Sequence, residues 1–173
     1  MSDILVQQQS TITEQFIIDI LDKKHTDDIF VAHCKTGPSQ GGKGTPILDA
    51  WVMPRSWVKP IIGYEIKVSR QDFRRDRKWI KYLEFCNLFY FVTPWSLIYP
   101  NEVPAEAGLI WITKTGAGIR YQKKAPSRWW HNIPQGIFMY VLMWRTTQNT
   151  IKEAERLKEE EHEQRDSGKT EKA

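Results

Sequence analysis

Apolar residues recur along the chain with two different periods, and the changes of period mark out its elements. From Thr11 to Lys24 the residues Ile17, Ile18 and Leu21 form a helical stripe, and Thr11 and Glu14 have capping-box spacing. Ile29 to Cys34 is a short run of strand type. Residues 35–46, KTGPSQGGKGTP, carry no period and read as a flexible glycine-rich loop. Ile47 to Met53 and Ile61 to Val68 are β-rich runs separated by PRSWVKP, which predicts a hairpin with a long turn. A helix is expected from Ser69 to about Cys86, followed by a buried strand over Asn87 to Thr93. A proline-studded connection then leads to strands at Leu109–Thr113 and Gly118–Lys123. After Pro134 the pattern is helical, first apolar and then charged, with a disordered tail expected from about Arg165.

This order predicts an α/β domain: a mixed central β-sheet flanked by helices, with a C-terminal helix. Residues 1–146 would form the domain, and residues 147–173 a charged helical extension with its tail. No internal repeat interrupts the pattern.

Composition narrows the classes. The chain has 173 residues, 40% of them hydrophobic, and eight Trp, enough for a sizeable core. No run of about 18 apolar residues occurs, so no membrane role is expected. MSDILVQQQSTITEQ has no basic region followed by an apolar stretch, and the two cysteines, Cys34 and Cys86, form no CxxC; a cytoplasmic setting is expected.

Charge is unevenly placed. The net charge is +4, but Lys152 to Ala173 holds six Lys/Arg against eight Asp/Glu, a net of −2 that leaves +6 on residues 1–151. Between Lys67 and Lys81 seven basic residues face two acidic ones. A basic segment of this kind suits a polyanionic partner, nucleic acid first, and equally describes a solvated helix face.

One tempting motif fails. Gly37, Gly42 and Lys43 fit most of a phosphate-binding GxxxxGK[ST] loop, but Gly44 stands where Ser or Thr is required. A strand follows where that loop must open a helix.

The chemistry lies in Asp49, a spacer, and then Glu65-Ile66-Lys67. Two acids and a lysine occupy strands that otherwise favour apolar residues. Residues two apart on a strand share a face, so Glu65 and Lys67 point together. If the two strands pair, Asp49 joins them. Carboxylates held together repel unless a cation neutralises them, and Mg²⁺ takes one or two carboxylates while keeping water for a substrate. A lysine beside that ion can orient or deprotonate an attacking water and stabilise a pentavalent phosphate. A surface hairpin carrying an ordinary Glu–Lys pair would show the same letters.

The stretch GYEIKVSRQDFRRDRKWIKYLEFCNLFYFVTP decides between them. It resembles the core of PD-(D/E)xK nucleases and, more closely, the MmcB-like family of DNA-repair proteins. The shared features are the ExK strand, Ser69, a basic helix with Asp76-Arg77-Lys78-Trp79 and Tyr82, and the strand ending at Pro94; Pro104 to Ile110 continues the likeness. Leu48 stands where these nucleases usually have proline. The resemblance implies a restriction-endonuclease-like core, Asp49 and Glu65 as metal ligands, the Ile66 carbonyl as a further ligand, and Lys67 as the catalytic lysine. Many relatives add an acid from the first helix. Glu14 is the candidate, and it is also the partner of Thr11 in the capping box.

Arg70, Arg74, Arg77 and Lys81 follow i, i+4, i+7 and i+11, a basic stripe that would track phosphates on DNA. Lys78 and Tyr82 stand i and i+4, where some relatives carry Gln and Tyr; Lys78 could reach a phosphate, and Tyr82 fits ordinary core as well. Trp129 and Trp130 beside Arg128 and His131 could stack on bases, though such pairs more often pack. His33 and His131 have no partner at ligand spacing.

The function expected is Mg²⁺-dependent hydrolysis of DNA phosphodiesters in repair, recombination or phage DNA processing, with Mn²⁺ able to substitute. The alternative is a non-catalytic DNA-binding or partner-docking module. The C-terminal helix could serve a homodimer or a partner protein.

Overall fold

The computed structural model describes residues 12–37, 45–56, 58–129 and 132–170. Its centre is one six-stranded sheet whose strands lie side by side in chain order: β1 (Ile29–Lys35), β2 (Ile47–Met53), β3 (Ile62–Ile66), β4 (Leu88–Thr93), β5 (Gly108–Ile112) and β6 (Ile119–Lys123). β1, β2 and β3 pair antiparallel, β3, β4 and β5 parallel, and β6 returns antiparallel to β5. The sheet is therefore mixed, as the order of elements predicts. β4 and β5 are apolar almost throughout because both of their faces are covered.

Each face carries its own core. Helix α1 (Glu14–Lys24) lays Ile17, Ile18 and Leu21 over Ala50, Val52, Tyr64, Ile66, Val92 and Ile110. The helix begins later than the capping-box spacing suggests: Thr13 is its N-cap and accepts the Phe16 amide, while Thr11 lies outside the described residues. On the other face Trp51, Phe89, Phe91 and Leu109 meet Trp79, Tyr82, Ile137 and Val141. Ile137 and Val141 belong to α4 (Gln135–Thr170), a 36-residue helix. Its helical backbone runs to Thr170, and residues 171–173 lie outside the described residues. Among the described residues no helix is long and apolar enough to cross a membrane.

The chief departure from the sequence pattern follows β3. The pattern predicts one helix from Ser69 to about Cys86. The chain instead forms α2 (Arg70–Arg75), breaks at Asp76, and resumes as α3 (Trp79–Tyr82) with a 3₁₀ turn over Leu83–Phe85. At Asp76 the backbone is extended, with ψ of 121°, and its carboxylate accepts the Lys78 amide at 2.7 Å. Asp76 also faces Lys67 from here, so a tertiary ion pair overrides local helix propensity.

Candidate active site

Asp49, Glu65 and Lys67 come together where β2 and β3 lie side by side. The β2–β3 ladder pairs Ala50 with Tyr64, which sets Asp49 one step further along, level with Glu65. Backbone pairing stops there because the Asp49 side chain replaces it: Oδ2 accepts the Ile66 amide at 2.6 Å. The β1–β2 ladder is interrupted at the same level. His33 and Asp49 drop out between the pairs Ala32–Ala50 and Cys34–Leu48, and His33 adopts a left-handed φ of 46°. The apolar phase changes across this gap: Val31 and Cys34, three apart, enter one core, as do Leu48 and Trp51. Local irregularities of this kind re-aim side chains beside functional sites.

Lys67 is the hub. It is buried, and its amide continues the sheet by donating to the Val92 carbonyl at 2.9 Å. Its ammonium lies 2.9 Å from Glu65 Oε1, 2.7 Å from Asp76 Oδ2 and 3.2 Å from Asp72 Oδ2. The ammonium is thus hydrogen-bonded to Glu65 and ion-paired with Asp76 and Asp72 as well. Burial alone would lower the Lys67 pKa, but Asp76 and Glu65 outweigh it and hold the amine further above its usual range. Lys67 is therefore a fixed ammonium, suited to orienting and to charge balance.

The carboxylates are perturbed in the opposite sense. Burial, reinforced by the Asp49 charge, pushes Glu65 up to about 8 against the pull of Lys67. Burial likewise raises Asp49 to about 6, opposed by the Ile66 amide and by Lys67. Glu14 adds to that rise and His33 reduces it, so both stand within electrostatic reach of Asp49. Glu14 is half-exposed, 3.9 Å from His33 Nδ1.

The donor set bears on a metal ion directly. Glu65 Oε2 is buried without a hydrogen-bond partner, which costs roughly 1–3 kcal/mol or more for a polar atom and calls for a cation. Asp49 and Glu65 supply the one or two carboxylates that Mg²⁺ takes. Two carboxylates with an orphaned oxygen fit a hydrated divalent ion. Among the described residues no third His, Cys, Asp or Glu, Glu14 included, joins them in a ready metal cage.

A family model described as DNA repair protein MmcB-like matches residues 51–158. The chain belongs to the MmcB-like family. The matched span contains Glu65, Lys67 and the α2–α3 segment, and it begins two residues after Asp49. No curated protein matches the chain. Among solved structures, the SPO1766 protein of unknown function from Silicibacter pomeroyi is similar at 20% identity and a TM-score of 0.59. The likeness covers 87% of this chain and 94% of that one. At that identity it speaks for the fold alone.

The other expected residues are distributed unevenly. Arg70 is taken by the Leu97 carbonyl at 2.6 Å and by Glu102. The break at Asp76 takes Arg70 and Arg74 onto one helix and Lys81 onto another, so no continuous four-residue helical stripe exists. Arg74, Arg77, Lys78 and Lys81 are exposed. Tyr82 is buried against Phe89, and its phenol feels Glu65, Asp76 and Asp49, which with burial raise its pKa. It is core and also a wall of the site. Trp129 is half-exposed, while Trp130 and His131 lie outside the described residues, as do Gly42, Lys43 and Gly44. From sequence, Asp76 stands out only as part of the family-like segment and His33 only as a histidine without a partner at ligand spacing, and neither of them, nor Asp72, is given a place at the site. Two acids at i and i+4 inside a strongly basic segment are the available signal for Asp72 and Asp76; nothing local marks His33.

Proposed function

We propose that this MmcB-like protein is a metal-dependent deoxyribonuclease of PD-(D/E)xK type that hydrolyses phosphodiester bonds in DNA repair, recombination or phage DNA processing in the cytoplasm. The observation that carries this reading is the carboxylate pair, Asp49 partly buried and Glu65 buried with Oε2 unpartnered, next to the buried Lys67 ammonium. A protein that only bound DNA would gain nothing from buried acids facing phosphate. Asp49 and Glu65 would hold Mg²⁺ or Mn²⁺, with the Ile66 carbonyl as a third ligand. Such an ion supplies Lewis-acid activation of the phosphoryl oxygen and of water. The Lys67 ammonium would neutralise charge that builds on the phosphoryl oxygens as the water O–P bond forms and the P–O bond to the leaving strand breaks. Exposed Arg74, Arg77, Lys78 and Lys81 would hold neighbouring phosphates.

A second reading, a DNA-binding module without catalysis, is favoured by the same ammonium being fully paired, as in a structural ion cluster. Incubation of the parent protein with supercoiled, linear and single-stranded DNA separates the two. The expected outcome is cleavage with Mg²⁺ or Mn²⁺, lowered about 100-fold or more by Asp49→Asn and by Lys67→Ala. No cleavage of any DNA form with either metal would leave the binding module.

A further inference from the structure

Lys67 presents a problem that the nuclease reading must solve. Its ammonium sits on Glu65 Oε1, and Glu65 is also one of the two carboxylates that would hold the divalent ion. A second cation drawing on Glu65 repels the ammonium, so Lys67 would either leave the cleft or compete for the ligand. It needs another anchor besides Glu65.

Asp76 has that position. Its side chain is 7% exposed, against 60% for Asp72, and its Oδ2 makes the shorter contact to Lys67, 2.7 Å against 3.2 Å. Its other oxygen is held by the Lys78 amide. That amide is free to donate because the chain stops being helical at Asp76, so the break between α2 and α3 presents a fixed carboxylate, both oxygens satisfied, to Lys67.

We propose that Asp76 is a positioning residue: it retains the Lys67 ammonium in the cleft when Glu65 turns its charge to a divalent cation. The proposal rests on the nuclease reading and deepens it. Asp76 also interacts with Glu65, but its ion pair to the ammonium is the contact through which it would hold Lys67. Losing it leaves Lys67 with Glu65 and the exposed, more distant Asp72, which strengthens the competition with metal.

The test is a double-mutant cycle on metal affinity, read by calorimetric titration of the full chain with Mn²⁺. Asp76→Asn is expected to weaken Mn²⁺ binding about tenfold or more, the usual cost of losing an outer partner of a metal site. In a Lys67→Met background the same substitution should change affinity little, because the group it acts through is gone. Asp76→Glu should restore much of the loss. Equal weakening in both backgrounds would make Asp76 a ligand or a general structural prop and overturn the proposal, as would no weakening in either. A parent that binds no Mn²⁺ would overturn the nuclease reading together with the proposal. Should Asp76→Asn fail to fold, the ¹⁵N-labelled Lys67 ammonium signal of the parent decides. Its persistence after Mg²⁺ saturation supports retention by Asp76, and its loss overturns it.

Discussion

At the scale of single residues, the site stores electrostatic stress that a metal-free protein has to carry. A folded-state carboxyl pKa above the unfolded value means that the native state holds the proton more tightly. Its ionisation therefore costs stability as pH rises. Glu65 moves from 4.5 to about 8 and Asp49 from 3.8 to about 6, so stability should decline from about pH 4 to pH 8. Asp76, held below its usual value, acts in reverse: its contribution is kept above that value and lost in acid. Lys67 stays charged across the whole window. Glu65→Gln removes the largest of these burdens and leaves Lys67 paired to Asp76 and Asp72. Thermal unfolding in chelator should show a parent midpoint that falls between pH 5 and pH 8 and a flatter profile for the variant. At pH 8 the variant should be the more stable by about 1 kcal/mol or more. A parent midpoint that climbs through this range would contradict the strained carboxylate pair. Added Mg²⁺ at pH 8 should raise the parent midpoint, since a ligand that binds the native state stabilises it, and should do little for the variant.

At the scale of elements, the segment after β3 is where sequence and structure part. The spacing of Arg70, Arg74, Arg77 and Lys81 suits one helix, and nothing in DFRRDRKW discourages a helix locally. The break comes from Lys67, nine residues upstream of Asp76, through an ion pair that no helical period encodes. The consequence for DNA is specific. Arg70 is spent on Glu102 and the Leu97 carbonyl, whereas Arg74 and Arg77 stand exposed on either side of the break. Arg74→Ala with Arg77→Ala should weaken DNA binding for every sequence and reduce the salt slope by about one for each phosphate no longer neutralised. Arg70→Ala should cost stability instead and leave that slope unchanged. A salt titration of binding, followed by fluorescence anisotropy, distinguishes them. Equal slopes for all three proteins would mean that α2 and α3 do not touch phosphate. The six strands, α1 and α4 are legible because their periods are strong and their faces buried, and their ends shift by only a residue or a few. Asp49, Glu65 and Lys67 are legible as three polar residues in apolar strands. His33 and Asp76 are not, because a left-handed φ and a buried ion pair are settled by neighbours distant in sequence.

At the scale of the whole molecule, α4 divides into two parts with different energetic weight. Its first turns seal the sheet: Ile137 and Val141 are buried, Phe138 packs edge-on to Trp51, and Arg145 donates to the Phe30 carbonyl. From Asn149 to Glu159 every residue is exposed, Ile151 and Leu157 included. At 1.5 Å per residue the helix from there to Thr170 extends about 30 Å. An exposed stretch such as residues 149–159 contributes little to folding, because its stability would have to come from packing that those residues do not make. Ending the chain after Gln148 should therefore move the thermal midpoint by no more than about 3 °C, within the range of ordinary surface changes. Ile137→Ala in the same helix should cost about 2–5 kcal/mol, since it empties a filled site beneath Trp51 and Phe138. The contrast between one buried side chain and the whole outer length of the helix is the test, read by thermal unfolding at two protein concentrations. If the shortened chain unfolds far earlier, and more so on dilution, the outer helix is buried against a second copy in solution, and the division of α4 drawn from its exposure fails.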